Sequence, residues 1–334
     1  LGRGGMAEVY RAYQGNLDRR VAIKVLHPFL ADDPEFKSRF EKEARNIAKL
    51  KHPNIVQVYD FENDIDNDSY YMVMELVEGP TLKEVLTELS DAGRMMETGE
   101  AVRIVREAAS ALSYAHGLNM IHRDVKPANL MLDRGHRVVL TDFGIAKIVT
   151  GVQFTASGGM VGTPAYMAPE QGLGEQGDER SDLYSLGVIF YQLVTGKLPY
   201  DGETPLAVIL KHLNEPVRSP LDLRADLPAP LDGIITRLMA KDPNERYQTA
   251  TELIADLDRF ERGLSDLDTG IMAAPSFQRS GDQPESPTMA LPNRRTPPAG
   301  TSTRREDTGA VRTARPSAAP AQPPRRRGIP IWLW

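Results

Sequence analysis

The apolar residues of this chain recur with two different periods, and the switch between them falls between Glu75 and Thr81. Before it the runs are short and strand-like, "EVYRAY", "RVAIKVL", "NIVQVYDF" and "YYMVMELV", interrupted by one helical stretch, "DPEFKSRFEKEARNIAKLK". After it, as far as Gly263, helical patterns dominate: "TLKEVLTEL", "AVRIVREAASALSYAHG", "SDLYSLGVIFYQLVTG", "LAVILKHL", "LDGIITRLMAKD" and "TATELIADLDRFERG". A period of two and a period of 3.6 serve different backbones. The chain therefore reads as a small, mostly β module followed by a larger, mostly α module, which is an α+β fold. The run Leu183 to Val194 is apolar almost all round but far shorter than the ~20 residues that span a bilayer, so it is expected as a helix buried in the second module.

A third zone follows Gly263. Residues 264–334 hold 11 of the 25 prolines and carry 10 Lys and Arg against 6 Asp and Glu, whereas residues 1–263 carry 30 against 40. Such a segment cannot bury enough apolar surface to fold, and residues 263–327 are expected to form a disordered Pro/Arg-rich linker. It ends in "RRRGIPIWLW", three arginines running into apolar residues with two tryptophans. That order predicts the cytoplasmic edge of a membrane helix beginning at 328–334. The acidic balance of the body argues against a nucleic-acid surface. Without cysteine, neither a disulfide nor a thiolate metal site is available. The chain opens on "LGRGG" rather than on a signal peptide, so the strand leading into that loop is expected to be cut.

The densest chemistry lies in "HRDVKPANL", residues 122–130, a stretch without helical periodicity. Downstream, "LMLDRGHRVVLTDFG" reads as two short apolar strands around an Asp-Arg-Gly-His turn, ending at Asp142. Asn129 and Asp142 are hard oxygen donors suited to Mg²⁺, which binds few protein groups and shares its shell with substrate phosphates. Asp124 is left to orient a nucleophile, and Lys126 to neutralise charge on a transferring phosphoryl group. A lone Asp or Asn in a loop usually caps a turn, but here the residues come as a set.

Phosphates also need a cradle. Gly2, Gly4 and Gly5 let backbone amides approach phosphate oxygens. A dinucleotide fingerprint requires a helix directly after the glycines, yet residues 8–13 alternate in period two. The only Gly-Lys pair, Gly196-Lys197, lacks the surroundings of a P-loop. In "VAIK", residues 21–24, Ala22 and Lys24 fall on one strand face, a small side chain beside an ammonium. Glu43 on the first module's helix is the expected partner of Lys24, with Glu41 as a rival.

These motifs, in this order, resemble the eukaryotic-like (Hanks-type) serine/threonine protein kinase family, and most closely the bacterial membrane-anchored kinases. The resemblance covers residues 1–262: the Gly-rich loop at 2–9, "VAIK", "HRDVKPAN", "DFG" at 142–144 and "APE" at 168–170. It implies a bilobal protein kinase fold that transfers the γ-phosphoryl of ATP to protein Ser/Thr hydroxyls with Mg²⁺. The runner-up functions are a pseudokinase scaffold or a small-molecule phosphotransferase. By the same likeness Lys24 pairs with Glu43 and holds phosphates, Asp124 is the base, Lys126 contacts the γ-phosphate, and Asn129 and Asp142 hold the metal. Met74 becomes the gatekeeper, Glu75 and Val77 the backbone contacts to adenine, and Val9, Ala22 and Met131 its walls. Asp182 and Arg246 become structural anchors, Arg246 as partner of Glu170, while His122 is a packed residue and Thr163 contacts the base. Ala7 departs from the usual third glycine of the loop. Thr155 and Ser157 match positions autophosphorylated in these relatives, with Arg123 and Lys147 as phosphate receivers and a transient, signal-induced homodimer as the setting.

Overall fold

The computed structural model describes residues 1–3, 7–27, 36–64, 69–143 and 164–263. All of these lie in the compact unit Leu1–Met272. Gly4, Gly5, Lys147, Thr155, Ser157, Thr163 and the segment from 264 onward, including the expected membrane helix at 328–334, lie outside the described residues. No helix among those described is long and apolar enough to cross a membrane.

The first lobe is an antiparallel sheet of β1 (Gly2–Arg3), β2 (Ala7–Gln14), β3 (Arg19–Leu26), β4 (Val58–Asp64) and β5 (Ser69–Glu75), in the order β1-β2-β3-β5-β4. Helix α1 (Phe36–Ile47) joins β3 to β4. In β3 the alternation that the sequence predicts is present: Ala22, Lys24 and Leu26 are buried while Ile23 and Val25 are half-buried. Lys24 thus sits on the covered face of a central strand, and a charge placed there needs a partner.

The second lobe begins at α2 (Leu82–Asp91). Thr81 starts it with a capping box, accepting from the Glu84 amide at 3.2 Å while its own amide donates to Glu84 Oε2 at 2.7 Å. Helix α3 (Thr98–Gly117) follows, then the two-stranded sheet of β6 (Leu130–Leu132) and β7 (Val138–Leu140). Beyond 164 come α4 (Pro169–Gly172), α5 (Glu179–Thr195), α6 (Pro205–Asn214), α7 (Ala229–Leu238) and α8 (Ala250–Glu261).

Helix α5 is the expected core post. Leu183, Leu186, Ile189, Phe190, Leu193 and Val194 are all fully buried. Side chains of this kind each contribute roughly 1.5–3 kcal/mol relative to exposure. Asp178 caps its N-terminus by accepting from the Arg180 amide, and Gly196, at φ +71°, ends it in the left-handed conformation that a glycine adopts most easily.

A buried ion pair clamps α4 to this post. Arg246, 1% exposed, donates from Nη1 to Glu170 Oε1 and from Nη2 to Glu170 Oε2, each at 2.8 Å. Its remaining donors reach the carbonyls of Ala240, Arg180 and Lys241, and Ser181 Oγ donates to Glu170 at 2.6 Å. Burial alone pushes the Glu170 carboxyl up, but the hydrogen bonds from Arg246 and Ser181 outweigh it and hold the group below the usual carboxylate range. The pairing of Glu170 with Arg246 expected from the motif order is therefore present. Removing one partner strands the other charge in the interior, so Arg246→Leu should lower unfolding free energy by about 3–5 kcal/mol in urea titration; a loss under about 1 kcal/mol would show that the pair is not structural.

Candidate active site

After α3 the chain reverses at Asn119, φ +57°, and enters the loop that carries "HRDVKPAN". Two backbone amides in succession point at one carboxylate: His122 N donates to Asp182 Oδ2 at 2.8 Å and Arg123 N to Asp182 Oδ1 at 2.7 Å. Asp182 lies in the first turn of α5, 1% exposed, and its Oδ2 also meets His116 Nε2 at 2.8 Å. An acid in the first turn faces the positive end of the helix dipole. His122 is buried, with Nε2 2.9 Å from the Thr141 carbonyl and its ring 4.6 Å from that of Phe143 in an edge arrangement. It is packed, and its Nδ1 accepts from the Asp124 amide at 3.2 Å.

Three polar side chains then meet. Lys126 Nζ lies 2.7 Å from Asp124 Oδ2. Asn129 Nδ2 donates to the Asp124 carbonyl at 2.8 Å and to its Oδ2 at 3.2 Å. The side chain of Asp124 is 40% exposed, so a substrate can reach it. An ion pair this exposed contributes little to stability. Its value lies in holding two charges where a third group can join them.

Strands β6 and β7 bring the second carboxylate to the same place. Leu130 pairs with Leu140, and Thr141 N donates to the Asn129 carbonyl at 2.8 Å, so Asp142 is fixed one residue beyond. Asp142 adopts φ +66°. Its Oδ1 receives Lys24 Nζ at 2.7 Å. That contact joins residues 118 positions apart and links the sheet of the first lobe to the second. Glu43 is half-buried on α1 beside the buried Ala44.

Asn129 and Asp142 fit the metal expected of them. Both acceptors facing the Asn129 side chain meet its NH₂, which leaves Oδ1, a hard donor, without a partner among the described residues, and Asp142 Oδ2 lies outside the Lys24 contact. Two such oxygens suit Mg²⁺ that shares its shell with phosphates.

The residues expected as walls for a flat base lie on β2, β3, β5, the connection after β5, and β6. Ala22 is paired with Met74 across β3 and β5, Val9 with Lys24 across β2 and β3, and Ala22 and Met74 are buried. Val9 and Val77 pack against the core, and Met131 is half-buried on β6. Glu75 N donates to the Gln57 carbonyl at 2.8 Å. At the other end of the cleft, Gly2 pairs with Val9. Arg123, half-buried, has an Nε without a hydrogen-bond partner among the described residues.

Sequence reasoning missed two residues near this site. Gly79 lies where the connection between the lobes crosses β6: a Cβ added to it would fall 1.9 Å from the Leu132 carbonyl oxygen. Leu132 N donates to the Pro80 carbonyl at 2.9 Å and Thr81 bridges to Met131, so this crossing sets the height of Met131 beneath the cleft. Gln171 is the second, since its amide touches the loop that carries Asp124. Neither residue belongs to a chemistry-bearing set, and only the fold brings them near one.

Residues 1–256 match the protein kinase domain family. The serine/threonine-protein kinase PknB of Mycolicibacterium smegmatis is 42% identical over 84% of this chain and 46% of its own length. PrkC of Bacillus subtilis, a serine/threonine-protein kinase, is 40% identical over 77% of this chain and 39% of its own length. The chain thus spans less than half of these curated relatives. The crystal structure of the Mycobacterium tuberculosis PknI kinase domain superposes with a TM-score of 0.62 at 31% identity, covering 79% of this chain and 93% of that one.

If Gly79 sets the floor of the cleft, Gly79→Ala should weaken binding of a fluorescent ATP analogue by about tenfold while the domain stays folded, the overpacking being absorbed by a shift of the crossing. Unchanged affinity in a folded variant would show that the crossing does not control the site.

Proposed function

We propose that this chain, which belongs to the protein kinase family, transfers the γ-phosphoryl of ATP to serine or threonine hydroxyls of protein substrates. One observation carries the reading: Asp124 lies within hydrogen-bond reach of both Lys126 and Asn129, and Lys24 of the first lobe pairs with Asp142 of the second. In this reading the substrate hydroxyl sits on Asp124. Its oxygen forms the new bond to the γ-phosphorus as the bond to the β–γ bridging oxygen breaks, its proton passes to Asp124, and ADP carries away the electron pair. The transition state is loose, so the protein contributes positioning and charge more than covalent chemistry. Lys126 faces the transferring group, and Lys24 holds the α/β-phosphates, with Glu43 as its expected second carboxylate partner. Asn129 and Asp142 supply the oxygens for Mg²⁺, which would neutralise phosphate charge. Val9, Ala22, Met74, Val77 and Met131 enclose the adenine, with Glu75 and Val77 offering backbone groups.

A scaffold without chemistry would not require Lys24, Asp124, Asn129 and Asp142 together, and a small-molecule phosphotransferase would not require "GTPAYMAPEQ", residues 162–171, a peptide-docking stretch by family likeness. Loss of a general base typically costs ~10²–10⁴ in rate. Asp124→Asn and Lys24→Met should each lower phosphotransfer to a protein substrate by at least about a hundredfold; substantial turnover by either variant would refute these roles.

Regulation is the finer part of the reading. Thr155 and Ser157 lie outside the described residues, but Arg123 beside the base has an Nε unpartnered among the described residues, a donor suited to a phosphate. We infer that two copies phosphorylate each other at Thr155 and Ser157, that Arg123 and Lys147 receive the charge, and that a membrane helix beginning at 328–334 holds the whole protein at a membrane. Mass spectrometry of the protein recovered from membranes after exposure to ATP should find both phosphates, and Thr155→Ala/Ser157→Ala should be slower. Unmodified residues or undiminished rates would remove the switch, and recovery only from the soluble fraction would remove the anchor.

A further inference from the structure

Arg123 is not glycine, yet it sits in the left-handed region at φ +67°, directly before the proposed base. A side chain in that conformation persists only where its surroundings over-determine it. Asp182 fixes the amide side of Arg123. The other side is the peptide unit joining Arg123 to Asp124, and it is gripped at both of its polar atoms. Its N–H, on Asp124, donates to His122 Nδ1 at 3.2 Å. Its carbonyl, on Arg123, accepts from Gln171 Nε2 at 3.1 Å. The tilt of this plane sets the direction in which the Asp124 side chain leaves the backbone.

Gln171 is half-buried on α4 and has a second contact: its Oε1 accepts from the Ala168 amide at 3.1 Å. One side-chain amide therefore links the start of α4 to the catalytic loop, its acceptor on Ala168 and its donor on Arg123. Its own backbone has little freedom, because the preceding residue, Glu170, is locked by Arg246 and Ser181. The geometry points to Gln171 as a positioning residue that holds the Arg123–Asp124 peptide plane and thereby couples the placement of residues 164–168 to the orientation of Asp124. This inference rests on the phosphotransfer reading above. It assigns Gln171 no contact with substrate.

The two ends of the bridge can be separated by substitution. Gln171→Glu keeps an acceptor for the Ala168 amide but presents no donor to the Arg123 carbonyl, whereas Gln171→Met removes both contacts without adding charge. For each variant, kcat for peptide phosphorylation should fall about tenfold or more, the size of a lost buried hydrogen bond, while KM for ATP stays within about twofold. Hydrogen exchange of the peptide spanning residues 122–125 should quicken in both, with Tm close to that of the parent. Wild-type kcat in a folded variant, or a fall in kcat without faster exchange in that peptide, overturns the proposal. Should Gln171→Glu fail to fold, Gln171→Met decides by the same two measurements. Absence of transfer by the unsubstituted chain would defeat the kinase reading instead, and the exchange comparison would still show whether Gln171 holds the loop.

Discussion

The carboxylate of Asp182 is the contact on which the site depends. Buried at the start of α5, it receives two consecutive loop amides and the His116 ring. A buried acid needs such donors, and loop amides that leave water need such an acceptor, so each requirement is met by the other. The loop is thereby tied to the most deeply buried helix of the protein. Residues in an irregular segment gain the positional precision of a core element, which is what catalysis by positioning demands.

Around that anchor the second lobe forms a rigid base. The Glu170–Arg246 pair immobilises α4, Gln171 extends from α4 to the loop, and Asn129 turns back onto Asp124. Hydrogen bonds of this density at a half-exposed site are not explained by stability alone, since exposed ion pairs such as Lys126–Asp124 contribute little to it. They are explained by the need to hold several charged groups at fixed separations. The first lobe contributes Lys24 to this arrangement, and its contact with Asp142 makes the distance between lobes a variable of the site.

Much of this was legible from residues. The period-two alternation of "VAIK" predicted that Ala22 and Lys24 share a face, and β3 buries both on one side because a pleated strand leaves no other choice. The apolar run from Leu183 to Val194 predicted a buried helix, and α5 has neighbours on every side. Asp124, Lys126 and Asn129 lie close in sequence, so a turn was enough to gather them. The Lys24 contact with Asp142 was not legible in the same way. Asp142 lies 118 positions from Lys24, and nothing in local spacing or composition announces a contact over that distance.

What the sequence by itself determined is therefore the kind and order of elements, the two lobes they build, and the chemical identity of the groups that belong to the cleft. Periodicity, capping residues and short-range spacing are local properties, and local properties are written along the chain. Only the tertiary structure decided that Gly79 must lack a side chain, since a Cβ there would meet a carbonyl from β6. It alone decided that Gln171 and Asp182, distant in sequence from Arg123, take hold of the carbonyl and the amide of that residue. These roles depend on which backbone groups are left without partners once the lobes have packed, a quantity that exists only in the folded molecule.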